Sequence, residues 1–134
     1  SRLEQRAAAA ALCEPRLLRQ PPHARRVLRL LDRVTASLEK RVAENPAQRK
    51  ALLQGLSYCW SVAIAASPAE GMRYMEKWMK RGEADAQRVM RGNLKKDRLR
   101  RLDPDWVRKW EAFLASARLA ADRRANRGRA ENQK

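Results

Sequence analysis

The chain has 134 residues, room for one ordinary domain and too little for two, and its 31 Lys and Arg against 15 Asp and Glu give a net charge of +16. Apolar residues make up 44% of it, enough for a core, which excludes wholesale disorder. Two Cys and one His exclude a disulfide framework and a zinc ligand set, and the absence of a run of about 18 apolar residues excludes a membrane-spanning helix.

The opening stretch, Arg2 to Arg6 running into Ala7–Ala11, has neither the apolar core nor the cleavage site of a secretory signal. It predicts a short Ala-rich helix over 2–13, closed by Glu14-Pro15. A chain that opens on a helix without Met reads as cut from a longer protein. A reducing cytoplasm is the expected compartment, with Cys13 and Cys59 as free thiols.

Prolines then mark the helix starts. Asn45-Pro46, Ser67-Pro68 and Asp103-Pro104 each pair a capping side chain with Pro at the first helical position, where the missing N–H costs nothing. Ser67-Pro68-Ala69-Glu70 also has the spacing of a capping box. A helix is predicted over 22–43, with Val27, Leu30, Leu31, Val34 and Leu38 on one face. The next, 47–66, is apolar nearly all round and has no charge after Lys50, so neighbours should wrap it. A third, 68–81, carries a stripe of Met72, Met75, Trp78 and Met79. Gly82 caps its end, and Glu83 or Asp85 starts a helix over 85–101. The last begins at Pro104 with Trp106, Trp110, Phe113, Leu114 and Ala117 on one side. From 123 to 134 the apolar periodicity is lost, predicting a disordered basic tail after a single helical domain over 1–122.

About six helices joined by short loops make an all-α fold of antiparallel hairpins. The unit from 67 to 102 reads as helix, acidic turn, basic helix, and its length of about 36 residues lies near that of armadillo and HEAT repeats. Through Ser67-Pro68, Met72, Met75, Trp78-Met79, Glu83-Ala84-Asp85-Ala86 and Val89 to Lys96, the sequence resembles the HEAT-like repeat family. It departs from the family pattern at Ala84 and Ala86, where Pro and Val usually stand. Tyr58 to Ala63 with Glu76-Lys77-Trp78 is similar to bacterial HEAT-like proteins, some grouped with DNA-alkylation-repair-type proteins. The resemblance implies hairpins stacked as a short α-solenoid; a compact orthogonal helix bundle is the alternative.

Candidate chemistry is sparse. His23 has no partner at ligand spacing, Cys59 reads as a buried small hydrophobe, and no Gly-rich phosphate loop occurs. No catalytic residue, metal or cofactor is assigned. The four Trp read as core, since no carboxylate stands one turn after any of them. The remaining signal is charge. From Arg73 to Arg101 there are 11 basic residues and four acids, and Arg88, Arg91, Lys95 and Arg98 line one side of the predicted 85–101 helix. In a solenoid such a row would face the concave groove, where field lines concentrate. The expected function is a non-catalytic binding or scaffold module whose partner is nucleic acid or an acidic protein surface. A DNA-repair protein of the alkylated-base glycosylase type is the alternative, and a solvated face or a fragment whose partner is its own longer chain is the plainest reading.

Overall fold

A computed structural model describes residues 2–5, 7, 18–40 and 45–133, and among these the chain is helical without strands. The elements are α1 (Pro21–Ala36), a 3-10 turn (Ser37–Glu39), α2 (Pro46–Ala66), α3 (Pro68–Arg81), α4 (Ala84–Leu94), α5 (Asp97–Leu102) and α6 (Pro104–Asn132). The predicted helix over 2–13 lies mostly outside the described residues; of it, 2–5 and 7 are helical.

Three of the expected boundaries are made by the expected groups. Asn45 Oδ1 accepts from the Ala47 N–H at 2.8 Å, and Asp103 Oδ1 from the Trp106 N–H at 3.0 Å. Gly82, at φ +80°, closes α3 in the left-handed conformation that a side chain would strain. Ser67 differs: its side chain makes no cap, and its backbone alone joins α2 to α3. Its N–H bonds the Ala63 and Ile64 carbonyls, and its carbonyl accepts from Gly71 N–H, so one residue serves two helix ends.

Two lengths also differ from the sequence reading. α1 stops at Ala36, because the 3-10 turn is what brings Leu38 inside. The predicted 85–101 helix is broken at Lys95–Lys96. Leu94 and Leu99, five residues apart, would sit on different faces of one straight helix. The bend buries both.

α2 is the hub, with α1, α3, α4 and α5 all packed against it. Trp60, fully buried, donates its indole N–H to Thr35 Oγ1 on α1 at 3.1 Å. On α3, Gly71 leaves no room for a side chain: a Cβ there would lie 2.5 Å from Ile64 Cγ1 and 3.0 Å from its Cα. On α4, a Cβ at Gly92 would come within 2.8 Å of Ser57 Cβ. Next to it Asn93, fully buried, is joined to the α2 backbone. Its Nδ2 donates to the Leu56 carbonyl (3.0 Å) and the Val89 carbonyl (2.8 Å), and its Oδ1 accepts from the Ser61 N–H at 2.9 Å. Every hydrogen-bonding direction of that amide but one lone pair is filled.

α6 outruns the domain. Val107, Trp110 and Leu114 are buried, while Phe113 stays exposed with its ring edge-on to Trp110. The helix continues through the segment expected to be a disordered tail, and every residue from 121 to 133 is exposed. Ala and Arg are strong helix formers and no Pro interrupts them, so propensity extends the rod where packing has ended.

Asn93→Ala leaves the Ser61 N–H and the Leu56 carbonyl without the clamp, and should lower unfolding free energy by about 2–4 kcal/mol in urea titrations. Gly71→Ala should cost about 1–3 kcal/mol, because the obstacle is partly Ile64 backbone, which cannot step aside.

Candidate polyanion-binding surface

The orientation of α4 follows from its cap and its clamp. Glu83 caps the helix, its carboxylate accepting from the Asp85 and Ala86 N–H groups at 3.1 and 2.6 Å. Arg49 from α2 makes an ion pair with Asp85 in the same turn and also donates to the Leu38 carbonyl at 3.0 Å. With Ala86, Val89, Met90 and Asn93 turned inward, Arg88, Arg91 and Lys95 fall on the side left over.

Of the four residues singled out from sequence, Arg88 and Lys95 are exposed and Arg91 is half-buried. Arg91 lies where α4 meets α6, close enough to Arg118 and Arg88 for both to act on its charge. Its Nη1 is buried without a hydrogen-bond partner. Burial first, then the charges of Arg118 and Arg88, push the Arg91 pKa below the ordinary guanidinium range. None of the three arginines is ion-paired among the described residues. Two cations converge on one partly desolvated guanidinium, and nothing described in the chain compensates it. An anion would.

Arg98 does not belong to this cluster. It stands on α5, beyond the bend, where its Nη1 donates to Ser61 Oγ at 3.0 Å and its guanidinium lies 4.9 Å from the Tyr58 ring centroid. The regular spacing of Arg88, Arg91, Lys95 and Arg98 assumed one continuous helix, and the break at Lys95–Lys96 removes the last member. Arg118, the residue that replaces it, is 27 positions from Arg91 along the chain, and no local spacing points to it.

No family model, curated protein or solved structure matches the chain. What the surface can do is therefore read from its own chemistry.

The tryptophans are structural. Trp60, Trp78 and Trp110 are buried and Trp106 is half-buried against the core. Two of them meet carboxylates that sequence spacing hid. Trp78 donates to Asp32 Oδ1 at 2.9 Å and Trp106 to Glu76 Oε1 at 2.9 Å, across 46 and 30 residues. Asp32 also takes Lys77 Nζ at 2.5 Å. Both acids are held as acceptors that tie helices together. Cys59 is buried in α2, and no group of three or more His, Cys, Asp or Glu capable of holding a metal occurs among the described residues.

Arg91→Met should keep the packing of the alkyl stem and remove the uncompensated charge. We expect its melting temperature to rise by about 1–3 °C in chloride buffer. Replacing chloride by sulfate at equal ionic strength should stabilise the parent chain more than the variant. A fall in melting temperature for Arg91→Met would mean that the guanidinium is satisfied in solution.

Proposed function

We propose that this protein is a non-catalytic binding module that takes a polyanion, nucleic acid foremost, on the surface shared by α4 and α6. The observation that carries the reading is Arg91, with a buried, unpartnered Nη1 between Arg88 and Arg118. A phosphate oxygen is a strong acceptor for a guanidinium fork, and bringing one there would offset both the lost hydration and the mutual repulsion. The net charge of +16 draws polyanions from a distance. α6 adds Arg123, Arg124, Arg127 and Arg129 on an exposed rod that continues from Arg118. Such a track reads backbone phosphates and carries no base-specific information.

The repeat reading belongs to the same proposal. Several helix contacts skip one element: α1 with α3, α2 with α4, and α4 with α6. These contacts support a reading as successive hairpins stacked side by side. In that arrangement α2, α4 and α6 are the second members, and the Arg88–Arg91–Arg118 cluster spans two neighbours on one wall. The contact of α5 with α2 is extra to it, and follows from the bend at Lys95–Lys96.

Binding of a fluorescent 20-base-pair DNA duplex should weaken steeply between about 50 and 200 mM salt. Reversing Arg88, Arg91 and Arg118 to Glu should lower the slope of log affinity against log salt by about 2–3, since each lost phosphate contact removes roughly 0.9. Reversing Arg25, Arg26 and Arg29, which lie on the exposed side of α1, should remove much less. Equal losses at the two sites would reduce the reading to diffuse charge. Tighter binding to polyglutamate than to the duplex, at equal charge, would assign the surface to an acidic protein instead.

A further inference from the structure

Among the described residues, α2 is not covered all the way round. Tyr58 is 46% exposed, and about two turns further on Ala65 and Ala66 are exposed as well. Between them runs a cleft of about 370 Å³, walled by Val62, Ala65 and Ala66 of α2 with Leu18 from the segment before α1. Its polar groups are Arg19, Arg98 and the Tyr58 hydroxyl, and no carboxylate is among its described lining residues. The helix that forms its wall carries no charge after Lys50.

Arg98 is not a loose surface arginine. Its Nη1 is fixed on Ser61 Oγ at 3.0 Å, and its plane lies by the Tyr58 ring, which Lys96 Nζ approaches at 5.8 Å. Ser61 is itself held, its N–H on Asn93 and its hydroxyl donating to the Tyr58 carbonyl at 2.7 Å. The contact to Ser61 uses one of five guanidinium N–H groups and leaves others free to donate at the cleft's rim. An anchored cation beside an apolar trough of this size has the form of a small-molecule site: mostly apolar walls, with few polar groups fixing orientation.

We infer that this cleft binds a small organic anion with an apolar body, an aryl or acyl carboxylate or sulfonate. The anionic head lies on Arg98 and Arg19, and the body on Val62, Ala65 and Ala66 beside the Tyr58 ring. A neutral apolar molecule would leave the cations unused, and a cation would meet them repulsively. A simple inorganic anion would gain nothing from the walls. The site shares no residue with the Arg88–Arg91–Arg118 surface and does not depend on the nucleic-acid reading.

The test is fluorescence titration of the whole chain with 1-anilinonaphthalene-8-sulfonate, followed by displacement with decanoate, decanol and decylammonium, each below its micelle concentration. We expect saturable binding at one site per chain, displaced by decanoate at least about tenfold more readily than by decanol, as one charge-assisted hydrogen bond requires. Decylammonium should not displace it. Ala66→Trp fills the trough and Ala65→Glu sets a carboxylate in it; both positions are exposed, so helix content by circular dichroism should be unchanged. Each should weaken the probe by about tenfold or more, and Arg98→Met by about fivefold or more. The Arg88, Arg91 and Arg118 reversals should leave it within about twofold. Binding that survives both alanine substitutions, or that falls only with the Arg88, Arg91 and Arg118 reversals, overturns the inference. So does equal displacement by decanoate and decylammonium. If Arg98→Met disturbs the fold through Ser61, the two alanine variants decide the question alone.

Discussion

Everything in the fold is arranged around a helix that water cannot solvate well. From Ala51 to Ala66, α2 offers no charge, so the chain must pack other helices against it from several directions. How closely they come is set by two glycines. Gly71 lets α3 rest on Ile64, and Gly92 lets α4 rest on Ser57. Burial alone would leave α4 free to rotate about its axis. Asn93 removes that freedom, because its amide must meet the Leu56 carbonyl and the Ser61 N–H together. A buried amide with a single satisfying arrangement fixes register in a way that interchangeable apolar contacts do not.

The positions of the charges follow from that register. With Asn93 and Gly92 against α2, Arg91 has only the boundary between α4 and α6 to occupy. Its long stem packs there and its head is left partly desolvated beside two other cations. The same clamp orders Ser61, which in turn seats Arg98 on the Tyr58 ring. One buried side chain thus bears on both the Arg88–Arg91–Arg118 cluster and the seat of Arg98.

The tryptophans do a different job. Each is large enough to close the space between two helices, and three of them hand their indole N–H to a partner on another element: Thr35, Asp32 or Glu76. The carboxylates so engaged are acceptors in a framework, which separates their geometry from that of an acid poised over a substrate. Salt bridges such as Arg81 to Glu39 at 2.6 Å add little to this. Most of the cationic excess faces solvent, and α6 carries part of it beyond the body.

Local chemistry was legible from the sequence: the all-α class, the starts at Pro46, Pro68 and Pro104, the caps at Asn45, Asp103 and Gly82, the tryptophan core and the central place of the 47–66 helix. Each depends on contacts within a few residues or on hydrophobic periodicity, and both are written along the chain. The helix break at Lys95–Lys96 was not, because it is decided by the burial of Leu94 and Leu99 together, a property of the surroundings. The row of four cations failed at Arg98 for that reason. Arg118, Asp32 and Glu76 became neighbours of Arg91, Trp78 and Trp106 only when helices distant in sequence packed against each other. The strip at Tyr58, Ala65 and Ala66 that the described helices leave open likewise exists because four helices do not close every side of a fifth. Composition determined that this protein would be helical and cationic; which cations converge, and which apolar face stays open, was settled by packing.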